Sequence, residues 1–206
     1  FPLLLAGCRW IFGDTTFPVR CVLAVLGTVG CGLVYLLGRE LVDHTVGLWS
    51  LAAVSVSPPL VAFTPLLLTE TTFAVSMVAS VLPVVRLWRE SPSKIRWGTA
   101  FLTGLLIAVA TYIRPTWLPF AGVVMLGLLL REPRRPTRWI EGGVVGLTLL
   151  AALAPWIMRN HAVCGQLVPT TLWVGPSLYD GLNPAATGDS DMSFFDRDNL
   201  LATMSE

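Results

Sequence analysis

Between residues 17 and 37 the only charged side chain is Arg20, close to the start of the run. A helix needs about 20 mostly apolar residues to cross a bilayer, and this run supplies them. Five further runs follow, at about 45–63, 67–87, 97–113, 116–130 and 140–158. The second weakens at Pro58-Pro59, the third carries Glu70 near its start, and Arg114-Pro115 separates the fourth from the fifth. Inside a bilayer the backbone must satisfy its own hydrogen bonds, so runs of this length read as helices. The expected fold is an all-α, polytopic transmembrane helical bundle with about six spans. Composition agrees: 54% of residues are hydrophobic and 13% charged, against roughly 25% charged in a soluble domain. Residues 1–12 are apolar but too short to span, which suits an interfacial helix. The chain starts at Phe1 with no initiator Met or readable signal peptide, and the expectation is a fragment of a longer protein.

The net charge of +1 is uninformative, but the positions of the charges are not. Arg39 follows the first run. Arg86, Arg89, Lys94 and Arg96 lie between the third and fourth, and Arg131, Arg134, Arg135 and Arg138 between the fifth and sixth. These are alternate connections, so they share one side, and the positive-inside rule makes that side cytoplasmic. The opposite connections, around 58–69 and 114–116, hold only Arg114 as a basic residue.

After Met158 the composition turns polar, acidic and turn-rich, with Asp180, Asp189, Asp191, Asp196 and Asp198 and with Gly or Pro at 175–176, 181 and 184. The expected division is a transmembrane module, 1–158, and an external loop or the start of an external domain, 159–206.

Small residues recur within the runs: Gly27, Gly30 and Gly32, then Gly142, Gly143 and Gly146. The spacing of Gly142 and Gly146 lets helices approach closely, and packing is the favoured reading. Cys8, Cys21, Cys31 and Cys164 form no CxxC pair and have no His at ligand spacing. Neither a disulfide nor a metal site is expected. No Walker loop, GxGxxG, HExxH or GxSxG occurs. Nothing points to nucleic acid, and the basic clusters read first as topology determinants. His44, beside Asp43, reads as a turn residue.

Charge inside a membrane is expensive, about 2.5–3.5 kcal/mol per residue on insertion scales. Glu70 and Arg114 therefore stand out. On the alternating topology both lie at the outer ends of their helices, where they can face one cleft. Arg159, Asn160 and His161, just past the sixth run, end on that side too. The plain reading is that Arg114 reaches to head groups and that Glu70, favoured by the helix dipole, follows Thr69 as N-cap. The sharper reading is a phosphate site, because a guanidinium fork pairs two oxygens at once.

Several of these residues also form a familiar ordered set. Leu68-Thr69-Glu70-Thr71-Thr72-Phe73 resembles the L-S/T-E-x-x-F helix start of the polyprenol-dependent glycosyltransferases. Gly104 to Ala110, followed by Tyr112-Ile113-Arg114-Pro115, is similar to that family's G-L-L-x-G-L-A-x-x-x-R-P run, with Ala108 in place of the second Gly. Pro155-Trp156-Ile157-Met158-Arg159-Asn160 resembles P-W-x-x-R-N, and residues 165–183 resemble the external segment that follows. Gly13-Asp14 and Tyr35-Leu36-Leu37-Gly38-Arg39 fit the same phrasing. The resemblance is to the GT-C fold group, family 39, the protein O-mannosyltransferase-like enzymes that include the lipid A aminoarabinose transferases.

The resemblance implies a membrane enzyme that takes a sugar from a polyprenyl-phosphate carrier and passes it to a protein, lipid or glycan acceptor on the outer face of a bacterial-type inner membrane. It implies no cofactor. The family's catalytic carboxylate is an Asp in the first external loop. Asp14 matches a position downstream of it, so the general base is expected upstream of Phe1. Glu70, Arg114, Arg159 and Asn160 are the substrate-binding candidates here, the two arginines for phosphate and Glu70 to orient an arginine or bind sugar hydroxyls. The alternative is a transporter or flippase-like bundle, which two related halves would support. A third reading is a noncatalytic scaffold in which Glu70 and Arg114 pair only for packing.

Overall fold

The computed structural model describes residues 1–89, 94–171 and 174–182, and all regular structure among them is helical. Among the described residues nine α-helices follow one another: α1 Pro2–Phe12, α2 Phe17–Leu41, α3 His44–Ser55, α4 Pro58–Phe63, α5 Glu70–Arg89, α6 Trp97–Ile113, α7 Leu118–Arg131, α8 Pro136–Cys164 and α9 Val174–Leu182. A 3-10 turn, Pro115–Trp117, precedes α7. By length and composition α2, α5 and α8 can each cross a membrane. At 25 residues, α2 is about 38 Å long, against a hydrocarbon core of about 30 Å. The other apolar runs form shorter helices. The fourth run is α6, with the expected bounds. The second is split at Ser57 into α3 and α4, because Pro58 has no N–H to continue the ladder and fits the first turn of a new helix.

The chain forms two compact units, Phe1–Pro155 and Trp156–Glu206. In the first, α2 packs against α3 and α5, α5 against α6, and α6 against the 3-10 turn and α7. Asp43 caps α3, accepting the Val46 N–H at 2.8 Å. Tyr35 Oη meets His44 Nδ1 at 3.0 Å, so the turn histidine is tied to α2. The helices touch where glycine removes the side chain. A Cβ on Gly47 would lie 2.8 Å from the Tyr35 carbonyl oxygen, and one on Gly30 would lie 2.9 Å from Val75. Gly104 is the tightest such point: a Cβ there would lie 2.5 Å from the Val145 carbonyl oxygen and 2.8 Å from Thr148 Cβ. Of the Gly142–Gly146 pair, Gly146 faces Met125, whereas Gly142 has open space where its side chain would stand. The close approach of α6 and α8 is therefore made by Gly104.

A buried ionic cluster fastens the far end of this unit. The last carbonyls of a helix have no partner within it, and α5 ends there. Arg96 donates to the carbonyls of Arg86, at 2.8 Å, and Leu87, at 2.9 Å. Arg138 donates to Leu87 at 2.6 Å and pairs with Glu141 at 3.0 Å. Both side chains of that pair are fully buried. Glu141 also accepts the Arg96 backbone N–H at 3.2 Å, and Glu132 lies 3.4 Å from Arg138. Arg86 reaches Glu40 on α2 at 3.0 Å. Arginines that read as loop charges in the sequence thus cap α5 and hold α2, α6 and α8 to it. Cations suit a helix C-terminus, where the dipole is negative.

The second unit begins within α8, which runs six residues past Met158 to Cys164. It ends at Gly165, whose φ of 68° suits a left-handed cap. Of the polar segment expected after Met158, residues 172–173 and 183–206 lie outside the described residues, and with them Asp189, Asp191, Asp196 and Asp198. Residues 90–93, in the connection that carries Lys94 and Arg96, also lie outside.

Two outcomes test this packing. Gly104→Ala lowers the thermal stability of the detergent-solubilised protein, by about 1–3 kcal/mol as overpacking does, while Gly142→Ala does not. Arg138→Ala takes from the buried Glu141 its closer ion-pair partner and leaves it only Arg96, whose guanidinium is 3.6 Å away, a loss toward the lower end of about 3–5 kcal/mol. The Arg138→Met/Glu141→Leu double variant is more stable than Arg138→Ala, and a double variant that melted lower would contradict the cluster's role.

Candidate functional site

Opposite the ionic cluster, at the start of α5 and the end of α6, the structure joins two residues singled out in the sequence. Pro115 disfavours helical geometry at the residue before it, and Arg114 is accordingly extended, at φ −140° and ψ 113°. That ends α6 at Ile113. The Arg114 guanidinium then bridges to the next helix. Nη2 donates to Glu70 Oε1 in an ion pair and to Thr69 Oγ1 at 3.3 Å. The cation also lies over the Phe73 ring, 5.3 Å from its centroid. Phe73 meets Trp117 edge-on at 6.0 Å, and Trp117 stacks on Phe120 at 4.5 Å. Trp117 Nε1 donates to the buried hydroxyl of Ser80 at 3.1 Å.

Glu70 opens α5, where a carboxylate complements the helix dipole. Thr69 does start the helix, its carbonyl accepting the Phe73 N–H at 2.8 Å, while its hydroxyl turns to Arg114. Glu70 and Arg114 are 36% and 39% exposed, so the pair is neither sealed in the core nor free in solvent. Its hydrogen bonding is incomplete. Glu70 Oε2 is buried with no partner among the described residues. A guanidinium has five N–H donors, and those on Arg114 Nε and Nη1 meet no acceptor among the described residues.

This pair lines a cavity of about 1370 Å³ that opens between α2, α3, α4 and α5. Its walls are mainly apolar, with Val34, Leu51, Leu60, Phe63 and Val78 among them; Gly27, Gly30 and Gly32 of α2 line it too, and Gly32 leaves open space there. Arg20, Glu70 and Arg114 are its charged residues. The arrangement suits an elongated apolar molecule with an anionic head.

Arg159 and Asn160 lie in the second unit. The Arg159 guanidinium covers the Trp156 ring at 5.3 Å. Asn160 is buried, and its Nδ2 donates to the Val168 carbonyl at 3.0 Å. Trp156 Nε1 donates to the Thr170 carbonyl at 3.1 Å. The P-W-x-x-R-N motif thus ties the segment after α8 back onto its last turns. Asp14, in the first unit, pairs with Arg9.

Sequence reasoning found Glu70 and Arg114 from the cost of charge in an apolar run, and passed over Glu141, which the same argument marks. It noted Arg20 only as an interruption. The groove has no linear signature, because four helices and the small residues between them make it.

Residues 1–158 match the sequence model of the family described as dolichyl-phosphate-mannose-protein mannosyltransferase. No curated protein and no solved structure matches the chain. A match over well more than half of the sequence, on a helical membrane bundle, identifies the chain as a member of the dolichyl-phosphate-mannose-protein mannosyltransferase family, membrane glycosyltransferases that draw their sugar from a polyprenyl-phosphate donor.

Proposed function

We propose that the cavity between α2 and α5 receives the isoprenoid tail of a polyprenyl-phosphate sugar, with the phosphate at Arg114, and that the sugar passes to an acceptor hydroxyl on the outer face of the membrane. The observation that carries this reading is the apolar groove with the Glu70–Arg114 pair in its lining. An apolar tail gains by leaving water for the groove. The phosphate can take the Arg114 donors that Glu70 and Thr69 leave open.

The chemistry needs little more. The acceptor oxygen attacks the anomeric carbon, and the bond from that carbon to the phosphate oxygen breaks. The electron pair stays on the phosphate, so a phosphodiester with one negative charge becomes a monoester that can carry two. The acceptor's proton goes to a base. Positive charge held ready where the negative charge grows lowers the barrier, and an arginine steadied by Glu70 and Phe73 provides it without reorganising. The described carboxylates of the first unit already have partners: Asp14 with Arg9, Glu40 with Arg86, Asp43 at its cap, Glu70 with Arg114, and Glu132 and Glu141 with Arg138. The role proposed for Glu70 is therefore to orient Arg114. Arg159 is kept as a second phosphate candidate, and Asn160 as the residue that shapes the segment behind it. The basic connections are assigned to the cytoplasmic side, and residues 159–206 to the outer face.

The test uses the whole protein in liposomes with a radiolabelled polyprenyl-phosphate sugar. Arg114→Ala reduces sugar transfer at limiting donor by about tenfold or more, as loss of a charge-assisted hydrogen bond does, while membrane insertion is unchanged. Glu70→Gln reduces it in the same direction. The double variant is no worse than the poorer single one, since both act through one interaction. Unchanged donor kinetics in Arg114→Ala would remove it from the site. Movement of a solute or lipid across the bilayer without sugar release would favour a transporter instead.

A further inference from the structure

We infer that Arg20, which no motif singles out, supplies the net positive charge that holds the donor's phosphate. The inference rests on the groove reading above and deepens it. Three charged residues line the groove: Arg20, Glu70 and Arg114. Glu70 and Arg114 form an ion pair, so together they contribute no net charge. The remaining single positive charge belongs to Arg20, whose guanidinium has no acceptor or ion-pair partner among the described residues. A phosphodiester-linked sugar carries one negative charge, and the groove's net charge matches it.

The location of Arg20 argues against a role in holding the helix together. It sits in the first turn of α2, where the helix dipole is positive and a cation is disfavoured. Every other arginine with a described ionic role answers a carboxylate or a helix C-terminal carbonyl: Arg9 with Asp14, Arg86 with Glu40, Arg96 and Arg138 at the end of α5. Arg20 answers neither. Arg114 and Arg20 then divide the work. Arg114, fixed by Glu70, Thr69 and Phe73, sets the direction of its donors. Arg20, on a flexible stem at the groove's wall, supplies the countercharge. Attraction to an unpaired cation discriminates a phosphate lipid from its neutral alcohol, whereas the apolar wall accepts both.

The experiment measures binding of polyprenyl phosphate, and of the uncharged polyprenol of equal length, to the whole protein in nanodiscs. Wild type, Arg20→Gln, Arg20→Lys and Arg114→Gln are compared. The expected result is a loss of about tenfold or more in phosphate-lipid affinity for Arg20→Gln, unchanged polyprenol binding, and substantial recovery in Arg20→Lys. Retained polyprenol binding shows that the groove is intact, so misfolding cannot mimic the effect. If wild type prefers the phosphate lipid, Arg114→Gln loses that preference and Arg20→Gln keeps it, the assignment to Arg20 is overturned and the groove reading stands. If wild type binds phosphate lipid and polyprenol alike, the groove reading fails and the assignment with it.

Discussion

Charge and open backbone groups are costly away from water, and the way this chain answers that cost organises the molecule. At one end of the first unit, α5 stops with its last carbonyls lacking partners within the helix, and Arg96, just before α6, and Arg138, on α8, satisfy them. Glu141, in turn, balances Arg138. Each group in this cluster answers another that would be expensive alone. At the opposite end, Arg114 and Glu70 answer each other less completely. They keep partial exposure, open donors on the arginine and one carboxylate oxygen without a partner. The closed cluster is a fastening; the open pair has capacity left for a ligand.

The helices between these two ends set the space beside the pair. Glycines on α2 bring it close to its neighbours at some points, as at Gly30 against Val75. Elsewhere they leave room, since nothing lies within contact distance of a side chain at Gly32, and Gly32 lines the groove. The Pro58 break leaves α4 as a short separate piece, whose residues Leu60 and Phe63 form part of the wall. A polyprenyl-phosphate donor needs such a surface. Its tail asks only for apolar walls, and its head asks for fixed cations at the edge. The family supplies the class of donor; the groove and its charges supply the proposed manner of holding it.

Much of this was legible in the sequence, for reasons that also mark where reading stops. Apolar runs of spanning length fix helices because the bilayer leaves the backbone no other solution. Pro58 and Pro115 act through their own rings, so the breaks they impose are local and visible. Glu70 and Arg114 were conspicuous because charge in an apolar run has a cost that composition alone reveals. Their direct pairing, however, joins residues 44 apart, and no local pattern states it. Arg138 reads as a loop charge in the sequence but is buried, since its burial depends on Glu141 and on the end of α5. Composition changes after Met158, but the helix follows backbone hydrogen bonding, and its continuation to Gly165, which closes it, has no sign in composition. The hydrogen bond from the amide of Asn160, a substrate-binding candidate, to the Val168 carbonyl has no local signature either.

The central claim is that a phosphate-bearing polyprenyl lipid occupies the groove, and two native thiols report on it directly. Cys21 and Cys31 line the groove, while Cys164 is exposed and belongs to the second unit. The measurement is the rate of modification of each cysteine by a small membrane-permeant maleimide, followed by peptide mass spectrometry, with and without saturating polyprenyl phosphate. The account predicts slower labelling of Cys21 and Cys31 with the lipid present and an unchanged rate at Cys164. Equal labelling of all three with and without the lipid would contradict it.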